Sequence, residues 1–281
     1  MKLLITGSQG MLGTDLCASA IALGHELDAL PRTRADITDV GAVDDAVRAA
    51  GPDVVINCAA WTDVDGAEAS RDAALKVNAA GAANVARAAL ACGAWTIHVS
   101  TDYVFDGRKR EPYVESDPVA PLSQYGRSKL EGELAVAAQA PDSHTIVRSS
   151  WLFGAAGKCF PATILALASQ RDQLTVVEDQ VGCPTFTGHL AAALLELADV
   201  RIPGVLHVAA TGSCSWYEFA REIVEHAGLD CELRPGNTAE LGRPAPRPAY
   251  SVLGSERGAP RLPDWREGLA RYMSTSYVHA G

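Results

Sequence analysis

The apolar run at residues 3–6 feeds without a break into Gly7-Ser8-Gln9-Gly10-Met11-Leu12-Gly13, and that turn opens a helical segment carrying Leu16, Ile21 and Leu23. Strand, glycine turn and helix in this order leave few folds open. The early glycines permit a tight turn and close backbone approach, and the third lets the helix lie against the strand. The helix N-terminus then offers free N–H groups to a pyrophosphate. The spacing is Gly-x-x-Gly-x-x-Gly rather than the commoner Gly-x-Gly-x-x-Gly. The turn alone therefore does not separate a dinucleotide site from glycines that only shape a loop, and its strand-helix context favours the former.

The same rhythm continues along the chain. Residues 26–30, 54–57, 96–100 and 145–148 read as further strands, with helical stretches near 11–23, 39–50, 72–92 and 126–139. Alternating units of this kind predict an α/β fold, a Rossmann-like doubly wound parallel sheet with five core strands. Residues 1–150 are expected to form the NAD(P)-binding domain. Beyond them the pattern loosens into helices near 159–170, 187–199 and 215–227, a Pro/Gly/Arg-rich stretch at 234–248, and a Trp-containing helix at 264–269. Residues 151–281 are expected to form a smaller C-terminal substrate-binding lobe, interleaved with the first domain rather than independent. The 234–248 stretch reads as an ordered loop within it rather than a linker.

Charge and cysteine usage narrow the partners. Lys and Arg number 24 against 34 Asp and Glu, a net charge of −10, and no basic cluster stands out. Nucleic acid is excluded on that ground, and a phosphate group must be held by local donors against an unfavourable global field. No apolar run reaches the ~20 residues of a membrane span. The N-terminal run is far shorter than the about 7–15 apolar residues of a signal sequence. The seven cysteines are scattered, without a C-x-x-C pair or a neighbouring His at zinc spacing. These features predict a cytoplasmic chain with reduced thiols and no membrane partner. The seven histidines form no ligand spacing, and none is given a role.

A second constellation carries chemistry. Ser100-Thr101-Asp102-Tyr103-Val104-Phe105 ends the fourth strand, and Tyr125-Gly126-Arg127-Ser128-Lys129 opens the following helix. A tyrosine and a lysine four residues apart share a helix face. A phenol titrates near pH ~10, and lowering that by ~3 units takes ~4 kcal/mol, much of which a nearby ammonium supplies. A hydroxyl such as that of Thr101 can hold the reacting oxygen. Tyr125, Lys129 and Thr101 are therefore the candidate catalytic residues for carbonyl reduction. Tyr-x-x-x-Lys alone is common by chance and gains weight from the glycine turn upstream. After the second strand, where a carboxylate would bond the adenosine ribose, Leu30-Pro31-Arg32-Thr33-Arg34 offers only cations. Arg32 or Arg34 is a partner for a 2′-phosphate unless both are solvated loop residues, so NADPH is expected to serve at least as well as NADH.

These residues resemble the extended short-chain dehydrogenase/reductases, and within them the dTDP-4-dehydrorhamnose reductase branch. The likeness runs through the glycine turn, Asp36-Ile37-Thr38-Asp39, the segment 57–65, Ser100 to Phe105, Tyr125 to Lys129, Arg148 to Trp151 and Arg247-Pro248-Ala249-Tyr250-Ser251. It implies that Tyr125 is the proton donor, that Lys129 holds the nicotinamide ribose, and that Thr101 assists at the sugar carbonyl. It further implies cofactor contacts from Gly7, Gly10, Met11, Leu12, Gly13, Asp36, Ile37, Ala60, Trp61 and Thr62, and substrate contacts from Thr101, Asp102, Tyr125, Trp151 and Tyr250. Arg243, Arg247, Lys158 and Tyr250 are candidate partners for the nucleotide diphosphate, with solvation the equal alternative for the basic residues.

The implied activity is NAD(P)H-dependent reduction of the C4 ketone of dTDP-4-dehydro-6-deoxy-L-mannose to dTDP-L-rhamnose. Another dTDP-4-keto-deoxysugar, an epimerisation that recycles its cofactor, and a non-catalytic nucleotide-binding regulatory subunit are the alternatives. Some members bind magnesium between subunits, so the resemblance admits a homodimer and magnesium. Asp15 is the one carboxylate that can be matched and reads as a solvated helix residue, and no metal is assigned.

Overall fold

A computed structural model of the chain describes residues 1–277. The first half builds β1 (Lys2–Thr6), α1 (Met11–Ala22), β2 (Glu26–Leu30), α2 (Val40–Ala50) and β3 (Val54–Asn57). There follow α3 (Val64–Ala69), α4 (Arg71–Leu75), α5 (Ala82–Ala91), β4 (Trp95–Thr101), α6 (Gln124–Gln139) and β5 (His144–Ser149). The strands are continuous apolar runs because both faces of the sheet are covered. In β1, Leu3 and Ile5 pack with Leu16 of α1 and with Leu190 and Leu194 of the helix Thr187–Val200, while Leu4 packs on the opposite side with Val43, Val47 and Val85. The two-residue period of the strand thus feeds two helical layers.

The sheet is parallel and six-stranded, in the order Gly204–His207, β5, β4, β3, β1, β2. The chain leaves β1 toward β2, then crosses to β3 on the other side. This reversal opens a crevice at the carboxyl ends of β1 and β3, where open α/β sheets place their ligands. The doubly wound class agrees with the sequence reading, but the strand count does not. The sixth strand comes from the second half of the chain, and Gly204-Val205-Leu206-His207 is too short to announce itself by period. The helix Thr187–Val200 likewise packs against α1.

The helix expected over 72–92 is interrupted: α4 passes through a π-helical turn, Lys76–Gly81, before α5. The remaining residues form a second core around Phe153, Phe219, Trp265 and Leu269, between the helices Phe160–Ala168, Trp216–Ala227 and Trp265–Tyr277. The 234–248 stretch is ordered. It ends the strand Glu232–Gly236, turns through the short helix Thr238–Leu241 with its Asn237/Glu240 capping box, and then docks Arg247 on Asp65 of α3. All seven cysteines are free. Among the described residues no helix is long and apolar enough to cross a membrane. Of the seven histidines, His279 lies outside the described residues.

Candidate active site

The glycine turn is shaped by backbone crowding. Gly7 has φ +65°, and a Cβ there would sit 2.7 Å from the Ala59 nitrogen; at Gly13 a Cβ would lie 2.2 Å from the Gly7 carbonyl oxygen. Gly10 is the N-cap of α1. No side chain caps this end and no acidic residue occupies its first turn. The helix start therefore keeps its N–H groups and positive dipole end free for an anion, which is what a pyrophosphate needs. A cavity of about 630 Å³ runs from this turn along the carboxyl ends of the strands. The residues present fit a dinucleotide.

Along that cavity lie Gly7, Gly10, Met11, Leu12 and Gly13, then Asp36 and Ile37, then Ala60, Trp61 and Thr62. Asp36 accepts from the Thr38 amide (2.9 Å) and from Arg32 Nε (3.0 Å). The amide, ahead of Arg32, holds its carboxyl below the usual carboxylate range. Of the two arginines considered for a 2′-phosphate, Arg32 borders the cavity. Arg34 is clamped onto Asp28 through both carboxylate oxygens, at 2.5 and 2.9 Å.

The segment 60–62 is held by a residue that sequence reasoning passed over. Asn78, in the π-helical turn, accepts from the Trp61 amide (2.8 Å) and donates to the Trp61 carbonyl (3.1 Å) and to Ser128 Oγ (2.8 Å). π-turns concentrate at functional positions. The available signal was an Asn inside an Ala-rich helical stretch, one of two there with Asn84, where its side chain competes with the backbone ladder.

At the far end, two glycines let α6 approach the segment after β4 and the π-helical turn. A Cβ at Gly126 would lie 2.3 Å from the Tyr103 carbonyl oxygen, and one at Gly132 would lie 2.1 Å from that of Asn78. The helix starts on a Ser123 cap, whose Oγ accepts from the Gly126 amide at 3.1 Å. Tyr125 and Lys129 follow one turn apart, and both line the cavity with Thr101 and Asp102. The Lys129 ammonium donates to the Val99 carbonyl at 2.7 Å and is 2% exposed. Burial lowers its pKa to about 8, against the opposing pull of Glu133.

The titration of Tyr125 departs from the sequence expectation. Burial pushes the phenol up to about 12, the Thr101 hydroxyl opposes it, and Asp102 acts in the same direction as burial. The Lys129 ammonium is engaged by the Val99 carbonyl, and low dielectric disfavours the phenolate. The phenol therefore keeps its proton at neutral pH, the state a proton donor requires.

Asp102 is 2% exposed, and its Oδ1 accepts from Thr101 Oγ1 at 3.1 Å. Its Oδ2 has no hydrogen-bond partner among the described residues. Ser251 lies near enough to favour the carboxylate but outside hydrogen-bond geometry. Burial pushes this carboxyl up to about 7 from an ordinary 3.8. A folded-state pKa raised in this way contributes stability that is present below the ordinary value and lost as pH rises through about 7, with about 1.4 kcal/mol at stake for each pH unit between the two values. Asp102→Asn is expected to flatten the decline in melting temperature between pH 4 and 7, measured by thermal denaturation across that range. An unchanged slope would show that the carboxyl ionises normally.

The wall opposite the cofactor end is aromatic. Trp151 adopts φ +48° and stacks face to face on Trp216, with ring centroids 3.5 Å apart and planes 2° from parallel. Both indoles and Lys158 line the cavity. Trp216 was missed, since nothing in the sequence links it to Trp151. Other candidate residues sit as follows. Tyr250 borders a neighbouring hollow of about 480 Å³ rather than the main cavity. Arg247 is held by both oxygens of Asp65 at 3.1 and 3.0 Å, while Arg243, more than half exposed, comes within 3.6 Å of the same carboxylate. Asp15 is not simply solvated, because packing between α1 and the helix Thr187–Val200 brings Thr187 Oγ1 to 2.5 Å from its carboxylate. Among the described residues no cluster of three or more His, Cys, Asp or Glu side chains is arranged to hold a metal.

A doubly wound sheet with a glycine turn at its switch point, and a Tyr-x-x-x-Lys helix closing the same crevice, is the architecture of the extended short-chain dehydrogenase/reductases. Within that class, residues 1–278 match the family described as RmlD substrate binding domain, and the chain belongs to it. It is 46% identical over 278 residues to a dTDP-4-dehydrorhamnose reductase of Mycolicibacterium smegmatis, covering 95% of this chain and 84% of that protein. The crystal structure of a dTDP-4-dehydrorhamnose reductase from Clostridium acetobutylicum superposes with TM-score 0.94 at 43% identity, over 98% of this chain and 99% of that one. The Bacillus anthracis enzyme of the same name, solved in complex with NADP, gives TM-score 0.94 at 38% identity, over 98% and 100%.

Proposed function

We propose that this chain reduces the C4 ketone of dTDP-4-dehydro-6-deoxy-L-mannose to dTDP-L-rhamnose, using NADPH or NADH. The observation that carries the reading is a half-buried Tyr125, one helical turn from Lys129, in one cavity with Thr101 and the uncapped start of α1. The reduced nicotinamide, when bound, supplies the hydride. The Gly7–Gly13 backbone and the N-terminus of α1 hold the pyrophosphate, and Asp36 and Ile37 flank the adenosine. Ala60-Trp61-Thr62, fixed by Asn78, lines the path between the two ends. Lys129 anchors the ribose next to the reacting ring. Thr101 orients the sugar carbonyl, and Tyr125 delivers its phenolic proton to the oxygen that gains charge at C4. Trp151 supplies an apolar face for the deoxysugar. Residues 151–277 provide this substrate wall and complete the sheet of the cofactor domain.

The test is a product-resolved assay with the keto sugar and each reduced cofactor. Cofactor oxidation matched mole for mole by dTDP-L-rhamnose is expected. Turnover of a different dTDP-4-keto sugar in its place moves the substrate, and cofactor binding without turnover of any such sugar identifies a binding subunit. Because Arg32 borders the cavity and Arg34 does not, Arg32→Ala should raise the KM for NADPH by about tenfold, the weight of one charge-assisted contact, and leave that for NADH unchanged. Equal changes for the two cofactors would remove Arg32 from the 2′-phosphate.

A further inference from the structure

A buried ion pair stands directly behind the Tyr-Lys helix face. Glu133 lies one turn beyond Lys129 on α6, and the side chains of Glu133 and Arg148 are 4% and 5% exposed. Arg148 grips both carboxylate oxygens, through Nε at 2.9 Å and Nη2 at 2.7 Å, and Ser100 Oγ donates to Oε1 at 2.5 Å. Each of these contacts adjoins the site. Ser100 precedes Thr101 on β4, Arg148 on β5 lies three residues before Trp151, and α6 carries Tyr125 and Lys129. One carboxylate thus ties together the three segments that line the chemical end of the cavity.

Resting on the reading that Lys129 anchors the reduced cofactor, we infer that Glu133 is a positioning residue for the reaction. Its carboxylate keeps Lys129 an ammonium in a site that otherwise disfavours charge, and locks α6 against β4 so that Tyr125 faces Thr101. A pair serving stability alone is often replaceable by apolar side chains. The electrostatic part of the role belongs to Glu133, which lies one turn from Lys129 on the same helix and whose carboxylate favours the ammonium form.

The other groups facing Lys129 do not replace it. Tyr125, on the same helix, is pushed up to about 12 and stays neutral. Cys58, at the end of β3, is pushed up to about 12 by burial. His98 on β4 is held well below its ordinary value by burial, and the Val99 carbonyl is a neutral acceptor. Asp102, in the same cavity, is pushed up to about 7 and gains charge between pH 6 and 9, so the limb assigned to Lys129 is the one that Lys129→Met removes.

The experiment measures the dissociation constant of NADPH from pH 6 to 9, by quenching of intrinsic fluorescence, for the intact protein, Lys129→Met, Glu133→Gln and the double variant Glu133→Gln/Arg148→Met. In the intact protein, binding should weaken as Lys129 loses its proton near pH 8, and Lys129→Met should abolish that limb. Glu133→Gln should move the limb about one pH unit lower, which makes binding roughly fivefold weaker at pH 8. The double variant removes both members of the ion pair, so neither is left buried without the other. It should regain the melting temperature lost by the single variant and keep the displaced limb. A limb that sits at the original pH in the folded double variant overturns the inference and leaves the pair a structural one. A limb missing from the intact protein, or unaffected by Lys129→Met, overturns instead the cofactor role of Lys129 on which the inference stands.

Discussion

Tyr125→Phe should lower kcat for the keto sugar by roughly 10²–10⁴-fold, the usual weight of a positioned general acid. Its effect on cofactor affinity and melting temperature should be slight. The separation follows from where the hydroxyl sits. The ring packs edge-on against Tyr103, with centroids 5.7 Å apart, and phenylalanine preserves that contact. The oxygen neighbours Thr101 and Asp102, and removing it costs the proton but not the packing. Steady-state turnover, with cofactor titration and thermal denaturation on the same preparation, reads all three quantities. Near-normal kcat in a folded Tyr125→Phe protein would require another acid and would end the proposed chemistry.

Gly13→Ala is expected to have the second large effect, at the opposite end of the cavity. The added Cβ would meet the Gly7 carbonyl oxygen at 2.2 Å and Ser8 Cα at 2.8 Å, both backbone atoms with no flexible end to swing aside. The Gly7 carbonyl also closes the turn by accepting from the Gly10 amide at 2.9 Å. Relief requires α1 to move off the turn, which displaces the N–H groups that face the cavity. Overpacking of this kind costs about 1–3 kcal/mol of stability. The displacement should weaken NADPH binding by about two orders of magnitude, the loss of roughly two charge-assisted hydrogen bonds at about 1.5 kcal/mol each. Gly41→Ala provides the control. It sits in α2, where the nearest atom to a new Cβ is the Asp39 carboxylate at 3.5 Å, and it should bind cofactor normally. Equal binding by the two variants would show that the turn does not hold the cofactor.

Legibility in the sequence depended on how local each feature is. The β1-turn-α1 unit spans contiguous residues whose glycines are demanded by contacts within the turn, so its place was readable directly. Tyr125 and Lys129 share a face by helical period alone. Arg247 and Asp65 are 182 residues apart, and only the folded chain shows that this arginine is occupied. Trp216 meets Trp151, and Thr187 meets Asp15, across long gaps of the same kind. The broken helix at 76–81 escaped because alanine-rich sequence is compatible with an unbroken one. The Asn78 side chain that uses the break is understood only beside Trp61 and Ser128.

By itself the sequence determined the α/β class, the glycine turn at the first strand and the Tyr-Lys pair, because period and turn chemistry act over a few residues. The tertiary structure decided which groups hold charge. It desolvated Tyr125 and buried Asp102 so that both pKa values rise, turned Lys129 toward Val99, and set the Glu133 carboxylate between Arg148 and Ser100. Proton affinity depends on dielectric surroundings and on neighbours brought together from distant parts of the chain, and no local pattern encodes either.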